Sequence, residues 1–275
     1  MGKPLYKVNI QRTDEIAYLS GVYMGDGTRR GTCFRVKSAD IDFLEFIISQ
    51  VRLVLSPKPN IAIRKDEDWY QIEVGAYNLW PLLYSWRKWL KEKPESFIRG
   101  LFDSDGGVTV TMYYNHPIKY YFRAEVYLVG ANQSLLREVS KVLQNMNIDN
   151  YVVLHQKKGS IGVINGKRFK RRKNVYKLRI RKEKAIKNYA NGIGFTIHRK
   201  QERLKDIVEI LSKYPAKYRG YEWIRRYSWR RKKRTEWIKR DRPLSEDVIQ
   251  ELKKLRTLKQ KSPSPLSTPP LKFIN

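Results

Sequence analysis

Two short segments of the chain repeat one another, and each ends in an aspartate followed by glycine. The segments cover residues 17–27 and 96–106. Small residues recur at every fourth position, at Ala17, Gly21 and Gly25 in the first segment and at Ser96, Gly100 and Ser104 in the second. Because residues four apart lie on one face of an α-helix, each segment predicts a helix with a stripe of small residues. Such a stripe allows a second helix backbone to approach closely.

Each stripe leads into an aspartate, Asp26 in the first segment and Asp105 in the second. If the two predicted helices pack on each other, both carboxylates lie at the same end of the pair. Two like charges held that close are unfavourable unless a cation lies between them, and the natural occupant is a divalent metal ion. The interval between the two aspartates indicates a repeated α/β half-domain.

The charge of the chain limits the partners it can have. Lys and Arg number 57 against 27 Asp and Glu, which gives a net charge of +30. Such a charge needs a polyanion, and nucleic acid is the first candidate. The sequence has no long apolar run, amphipathic N-terminal anchor or secretory signal, so we expect no membrane partner and no secretion. The expected location is the cytoplasm, in association with a prokaryotic nucleoid, or an organelle.

The few cysteines and histidines limit the metal that such a site could hold. One cysteine, Cys33, excludes an internal disulfide framework and a cysteine-rich zinc site, and the presence of only three histidines argues against a histidine-rich site. A catalytic metal in this chain is therefore expected to be a hard cation held by oxygen atoms.

Hydrophobic periodicity predicts a similar order of elements after each motif, which is an α/β (α+β) fold. In the first half the pattern predicts strands over 32–37, 61–64 and 69–74 and helices over 40–53 and 79–91. In the second half it predicts strands over 108–113, 120–129, 151–155 and 174–180 and helices over 134–146, 184–189 and 200–211. Residues 38–44 also align with residues 130–136, which supports a duplicated unit.

The outward faces of the predicted strands are rich in Arg, Lys, Tyr, Thr and Gln. A regular, cationic, hydrogen-bonding sheet face suits the major groove of DNA, and a solvated face is the alternative. Residues 167–173, interpreted as a loop, contain six cationic side chains in seven residues and are expected to bind phosphates. The residues expected to contact DNA are Arg29, Arg30, Arg35, Lys37, Arg64, Gln71, Tyr121, Arg123, Tyr127, Lys170, Arg172, Lys177 and Arg179.

The two motifs, residues 19–27 and 98–106, resemble those of the LAGLIDADG homing endonucleases. The resemblance covers residues 13–211 and implies a monomer with two motifs, encoded within an intron, with an archaeon as one candidate source. It implies two pseudo-symmetric αββαββα half-domains whose antiparallel sheets bind DNA. The expected domain boundaries are 1–93 and 94–212 for the half-domains and 213–275 for a basic, aromatic extension with a flexible tail.

The resemblance also implies a metal site. Mg²⁺ is expected to bind the carboxylates of Asp26 and Asp105 and the backbone carbonyls of Gly25 and Ser104. Mn²⁺ is expected to substitute for Mg²⁺, and Ca²⁺ is expected to support DNA binding without cleavage. We expect Asp103 to lie on the helix surface or to cap a turn, in preference to acting as a third ligand.

A basic residue near each site is a further implication of the resemblance. In the second half we assign this catalytic role to Lys200, and a shifted alignment would give His198 instead. In the first half Lys37 and Lys91 are weaker candidates. The polar group that positions water falls at Ser38 in the first half and at Gly130 in the second, with Lys37 and Asn132 as neighbouring alternatives, so the two sites are expected to be unequal.

The function implied is a site-specific endonuclease that hydrolyses both strands of a long DNA site, leaves short 3′ overhangs and serves intron homing. The alternative is an RNA maturase of the same fold that binds its intron RNA, or a protein with both activities. A maturase would not need the two metal-binding acids, and the same acids disfavour a DNA-binding regulator. For the extension, a packed helical cap and a nucleic-acid clamp are equally compatible with the sequence.

Overall fold

The computed structural model describes residues 6–66, 68–115, 119–164, 167–231 and 235–251. These residues form helices and antiparallel sheets, which confirms the predicted α/β (α+β) class. Up to the end of the first half the elements are β1 (Lys7–Val8), α1 (Thr13–Met24), β2 (Thr28–Arg30), β3 (Cys33–Ser38), α2 (Ile41–Val54), β4 (Leu55–Ser56), β5 (Ile61–Asp66), β6 (Trp69–Gly75), α3 (Trp80–Tyr84) and α4 (Trp86–Glu92).

The second half repeats the core order of helix, two strands, helix, two strands and helix, lacks counterparts of β1 and β4 among its described residues, and adds a short hairpin. Its elements are α5 (Pro94–Asp105), β7 (Gly106–Asn115), β8 (Lys119–Gly130), α6 (Gln133–Asn145), β9 (Tyr151–Gln156), β10 (Ile161–Ile164), β11 (Lys167–Lys170), β12 (Val175–Ile180) and α7 (Glu183–Gly192). The remaining elements are α8 (His198–Lys213), α9 (Ala216–Arg226), β13 (Tyr227–Arg231) and β14 (Thr235–Lys239). Among the described residues, no helix is long and apolar enough to cross a membrane.

The two large sheets have the same topology. Their strand orders are β2-β3-β6-β5 and β7-β8-β12-β9, so corresponding strands occupy corresponding positions. In the first sheet, Phe34 faces Val74 across β3 and β6, and both are buried. In the second, Leu128 faces Leu178 across β8 and β12, and both are buried as well. Because alternate residues point to opposite faces, these apolar rows leave the polar side chains on the outward face.

The two motif helices, α1 and α5, pack backbone against backbone. A methyl group at Gly21 would collide with the carbonyl oxygen of Phe97, and one at Gly100 would collide with the carbonyl oxygen of Tyr18. Residues four positions apart on each helix therefore have to be small for the observed approach. The predicted stripes of small residues thus form the contact between the two helices.

One predicted helix is divided in the structure. The helix predicted over residues 79–91 consists of a short 3₁₀ turn at Tyr77–Leu79, followed by α3 and α4. The break lies at Ser85, whose ψ of 38° departs from helical geometry. The hydroxyl of Ser85 donates to the carbonyl oxygen of Pro81 at 2.8 Å, which offers the backbone an alternative to continuing the helical ladder.

The sequence pattern predicts a loop over residues 167–173, and this prediction is wrong for the first four of them. Lys167–Lys170 forms strand β11, which pairs with β10 in an antiparallel hairpin. Asn165-Gly166, between the two strands, is the sequence signal that indicates a hairpin. These two residues themselves lie outside the described part of the chain.

By compactness the chain divides into two units. One unit contains the described residues up to 107 together with 126–204, and the other contains 108–125 together with the described residues from 205 onward. The first unit holds both motif helices and the first large sheet. The half-domain boundaries expected at residues 93 and 212 remain a prediction.

Within the second unit, the extension packs against the outer part of the β7–β8 hairpin. The indole Nε1 of Trp237 donates to the carbonyl oxygen of Val110 at 2.7 Å. The ring of Phe122 meets that of Trp223 edge to face, with the centroids 5.8 Å apart. Trp223 is fully buried. These contacts agree with a packed cap, and the nucleic-acid clamp stays a prediction.

Candidate metal and nucleic-acid site

The C-terminal ends of the two motif helices touch each other. A methyl group at Gly25 would lie 2.5 Å from the Cβ of Ser104 and 3.5 Å from the backbone nitrogen of Asp105. Asp26 follows Gly25 directly, so both aspartates of the motifs lie at this end of the helix pair. The packing of α1 on α5 therefore brings together all four residues predicted to hold a metal.

Asp26 is exposed and Asp105 is half-buried, yet enough protein surrounds both carboxylates to disfavour their charged forms. Burial raises the pKa of Asp26, and the positive charge of Lys200 partly offsets this. The pKa of Asp105 is raised to about 7, first by burial and then by the negative charge of Asp26, while Lys200 again acts in the opposite direction. Each added negative charge at this site is therefore unfavourable unless a cation compensates it.

The donor set fits a hard divalent cation. Asp26 and Asp105 offer carboxylate oxygens, and Gly25 and Ser104 offer backbone carbonyl oxygens, which are the ligands that Mg²⁺ and Ca²⁺ prefer. The described residues include no group of three or more His, Cys, Asp or Glu arranged to hold a metal. A cation bound here would therefore complete its coordination with water and with phosphate oxygens of a substrate, as Mg²⁺ commonly does.

Lys200 lies beneath the end of α5. Its side chain is buried, and Nζ donates to the carbonyl oxygens of Asp103 at 2.5 Å, Gly106 at 2.8 Å and Phe102 at 3.2 Å. The three bonds use all three N–H donors of the ammonium group. Burial is the main reason that the pKa of Lys200 is lowered to about 8. Lys200 thus stabilises the helix end that carries Asp105 and contributes positive charge to both motif aspartates.

The other basic candidates are arranged differently. His198 is exposed, and its backbone nitrogen donates to Oδ2 of Asp42 at 2.6 Å, at the start of α8. Lys37 and Lys91 are also exposed. Lys200 is the cation that acts on the pKa of Asp26. Among these candidates Lys200 is therefore the one placed to act on the motif carboxylates.

Asp103 is buried, and the expectation that it would lie on the helix surface is wrong. Its side chain is 1% exposed, and it accepts hydrogen bonds from Oη of Tyr18 at 2.9 Å and from the backbone nitrogen of Thr196 at 3.0 Å. Burial raises the pKa of Asp103. These bonds join α1, α5 and the segment before α8. Asp103 therefore helps to position Lys200 and the motif helices.

On the first large sheet, three of the predicted DNA contacts lie in one row. Lys37, Gln71 and Arg64 are neighbours across β3, β6 and β5. Arg35 lies on the same face, but its guanidinium pairs with Glu73 at 2.7 Å across the strands. The row therefore offers one cation on each side of an amide. Cations suit phosphates, and an amide suits the edges of bases.

The predicted contacts on edge strand β2 are exposed. Both Arg29 and Arg30 lie at the surface, and Nε of Arg29 donates to the carbonyl oxygen of Gly31 at 3.0 Å. The guanidinium of Arg29 also lies 5.2 Å from the ring of Trp80. The aromatic contact therefore helps to order this arginine at the surface.

On the second large sheet, Tyr127 links the polar face to the motif end. It lies opposite Arg179 across β8 and β12, and Nζ of Lys177 lies 4.2 Å from its ring. A methyl group at Gly107 would lie 2.8 Å from the hydroxyl of Tyr127. Since Gly107 comes two residues after Asp105, the aromatic and cationic face begins next to the carboxylates.

The remaining predicted contacts lie elsewhere. Arg123 is exposed on β8 within the second unit. Lys170 and Arg172 are exposed at the β10–β11 hairpin. Tyr121 is part of β8, and its side chain lies outside the described set. The structure therefore groups the predicted DNA contacts into several surfaces.

The raised pKa of Asp105 predicts that the metal-free protein loses stability as the pH rises towards and through about 7. The folded state keeps this proton up to about pH 7, whereas the unfolded chain releases it near the ordinary aspartate value, so the folded state binds more protons in between. We expect Asp105→Asn to be more stable than the unmodified protein by about 2 kcal/mol at pH 8 in EDTA and similar to it at pH 4. Urea unfolding across this pH range measures the difference. A difference independent of pH would contradict the raised pKa.

Comparison with known proteins finds a family similar to the second half of the chain. The family model described as a LAGLIDADG-like domain matches residues 92–194, which run from α5 to the segment after α7. These residues, which include the second motif, are therefore similar to a LAGLIDADG-like domain, and the resemblance inferred from the paired motifs is confirmed. A protein of Methanocaldococcus jannaschii described as uncharacterized is 26% identical over 220 residues, which are 75% of this chain and 76% of that protein.

Two solved structures are similar in fold. I-DmoI in complex with DNA and Ca aligns at 18% identity with a TM-score of 0.44, over 70% of this chain and 98% of its own. The I-LtrWI LAGLIDADG homing endonuclease bound to target DNA aligns at 11% identity with a TM-score of 0.49, over 74% of this chain and 91% of its own. These descriptions apply to those proteins, and the activity of this chain has to rest on its own residues.

Proposed function

We propose that the chain is a site-specific DNA endonuclease that hydrolyses both strands of a long duplex site and leaves short 3′ overhangs. The observation that supports this most strongly is the contact between the two motif ends, where Gly25 packs against Ser104 and Asp105. Two acidic groups that raise each other's energy, in a chain with a net charge of +30, suit a metal-assisted reaction on a polyanion.

In this proposal Asp26 and Asp105 hold a divalent cation together with the carbonyl groups of Gly25 and Ser104. Bound Mg²⁺ would lower the pKa of a water molecule and stabilise the charge of the phosphate and the departing 3′ oxygen. Mn²⁺ would substitute, and Ca²⁺ would support binding alone. Lys200 is assigned as a positioning residue, because its N–H groups bond the backbone at the end of α5.

The sheet faces would supply the contacts with DNA. The row of Lys37, Gln71 and Arg64 offers both cationic and amide donors, and the group of Tyr127, Lys177 and Arg179 begins beside the motif end. Cations would bind phosphates and fix the register, while amide and guanidinium groups would read base edges. Arg35, paired with Glu73, would contribute less positive charge.

The proposal extends to organisation and biology. The chain would act as a monomer, since one chain supplies both motif aspartates, with half-domains at residues 1–93 and 94–212. Its natural setting would be intron homing, in the cytoplasm of a prokaryote at the nucleoid or in an organelle. An RNA maturase of the same fold is the second candidate, because the surface of this chain is cationic independently of the two acids.

Cleavage of a randomised duplex library in Mg²⁺, in Ca²⁺ and in EDTA tests the proposal, with sequencing of the cut ends. We expect cuts only in Mg²⁺, at one long motif, with 3′ overhangs, and retention of the same sequences without cuts in Ca²⁺. Specific retention without cleavage in any metal would contradict the nuclease and indicate a binding protein. Binding of structured RNA in preference to every duplex would instead support the maturase.

A further inference from the structure

The two large sheets differ at one connection. In the first sheet, the edge strand β5 joins β6 through two residues, and the neighbouring Asp66 and Asp68 make this turn acidic. In the second sheet, the corresponding strands β9 and β12 are joined by residues 157–174, which include the β10–β11 hairpin. We call residues 157–174 the basic arm. The repeat therefore carries a projection in one half that the other half does not have.

The basic arm concentrates positive charge. Residues 157–174 contain eight Lys and Arg and no Asp or Glu. Within the part of the chain that the structure describes, no Lys or Arg side chain of the arm forms an ion pair with a carboxylate. An unpaired cluster of like charges raises the energy of the free protein and is relieved when a polyanion approaches.

The basic residues of the C-terminal extension are arranged differently. Arg226 pairs with Glu209 at 2.8 Å, and Lys239 pairs with Asp206 at 2.9 Å. These acids neutralise part of the positive charge that the sequence shows there. Of the two most basic segments after the second motif, the arm is therefore the one whose described cations have no carboxylate partners.

The arm is preorganised but is not anchored by apolar burial. Ile161 and Val163 on β10 are 71% and 63% exposed. The ring of Phe169 crosses Gly162, where a methyl group would lie 2.5 Å from the ring, and the guanidinium of Arg171 lies 5.0 Å from the ring centroid. These contacts of Phe169 therefore order the hairpin, although its exposed apolar side chains add little to the core.

The position of the arm relative to the carboxylates follows from the strand register. Arg179 lies opposite Tyr127, whose hydroxyl lies over Gly107 next to the motif end. From Arg179 to the base of the arm at Val175, strand β12 runs four residues, or about 13 Å. At about 3.4 Å per base pair, this is a distance of about four base pairs before the arm begins.

We propose that the basic arm binds the sugar–phosphate backbone of duplex DNA beyond the base pairs contacted by the second sheet. The stretch of DNA covered by the protein would then extend further on the side of the arm than on the side of the first sheet. The corresponding turn of the first sheet is acidic and would not bind phosphates. Phosphates carry no sequence, so the arm increases affinity for every duplex and leaves the choice of site to the sheet faces. This inference rests on the proposed function for the identity of the partner.

The test compares two variants that remove the same charge. One replaces Lys170, Arg172 and Lys173 in the arm by glutamine. The matched control replaces Arg137, Lys141 and Lys184 by glutamine. All six are exposed, and the control positions lie on helices α6 and α7. Fluorescence anisotropy in Ca²⁺ measures binding to the site selected from the randomised library and to an unrelated duplex, from 50 to 300 mM NaCl. Thermal unfolding checks that both variants are folded.

We expect the arm variant to reduce the slope of log K against log salt by about 2 to 3, because each lost phosphate contact removes about 0.9 from the slope. Its affinity should fall by about tenfold or more for both duplexes, so the ratio between them is kept. The control should change the slope by less than about 1. On the selected site, hydroxyl-radical footprinting should lose protection at one end only.

Equal slopes for the two variants would overturn the inference, as would a loss of the preference for the selected site in the arm variant. An effect of the arm on structured RNA but on no duplex would overturn the choice of DNA as the partner. These results are distinguishable from failure of the proposed function. Cleavage in Mg²⁺ with no effect of the arm contradicts the arm alone, and arm-dependent DNA binding without cleavage contradicts the nuclease alone.

Discussion

Replacement of Asp26 or Asp105 by asparagine is expected to abolish double-strand cleavage while DNA binding stays within a few-fold of the unmodified protein. Asparagine keeps the shape of the side chain but removes the negative charge that a divalent cation requires. Because the cation is expected to stabilise charge at the reacting phosphate, we expect the cleavage rate to fall by about a thousandfold or more. Binding rests on the cationic sheet faces and is not expected to need either carboxylate.

The measurement is single-turnover cleavage of the selected duplex in Mg²⁺, with affinity measured separately in Ca²⁺ and in EDTA. Asp149→Asn is the matched control, because Asp149 is an exposed aspartate that pairs with Lys182 at 2.8 Å on the surface. Such a pair contributes little to stability, so this variant should cut normally. Cleavage at the normal rate by both motif variants would contradict the assignment of the two acids.

The contact of the motif helices is the part of the architecture that the sequence predicts best. A step of four between small residues is a local property of a helix, and it is present in both segments at equivalent positions. The same holds for the sheets, because the alternation of Phe34 and Val36 with charged neighbours defines a buried and an outward face within one strand. Patterns of this kind need no knowledge of the distant partner.

The environment of the carboxylates could not be predicted in the same way. Asp103 is buried because Tyr18 and Thr196, far away in sequence, donate hydrogen bonds to it. Lys200 is buried because the end of α5 presents three carbonyl groups to its ammonium. A single sequence shows a charged residue on a helix and does not show which helix end or hydroxyl lies opposite. Polar residues of these types are usually exposed, which favoured the wrong expectation for Asp103.

For the basic arm, the sequence-based prediction of secondary structure is wrong for a different reason. Its charge follows from composition, but the run of cations in residues 167–173 favours a loop when the sequence is taken alone. Strand β11 forms because β10 lies opposite, and the hairpin signal Asn165-Gly166 comes before the charged run. The extension after residue 212 is similar, since its packing depends on tertiary contacts such as that between Trp237 and Val110.

Substitution of alanine for Gly21 or Gly100 is expected to destabilise the protein by about 3 kcal/mol or more, and in the limit to prevent folding. At both positions the added methyl group would collide with a backbone carbonyl oxygen of the other motif helix. A backbone atom cannot turn away as the end of a long side chain can. The two helices would therefore have to separate, and the ends that carry Asp26 and Asp105 would move apart.

Gly192→Ala is the matched control for this experiment. Gly192 is the last residue of α7, and a methyl group there would meet no atom within 4 Å. Because alanine favours helix more than glycine does, the control is expected to be neutral or more stable by up to about 1 kcal/mol. Urea unfolding and cleavage are measured on all three variants. Equal stability of Gly21→Ala, Gly100→Ala and the control would contradict the close packing of α1 on α5. If Gly21→Ala and Gly100→Ala stay partly folded and their cleavage rates fall together with their stability, this packing holds the two carboxylates together.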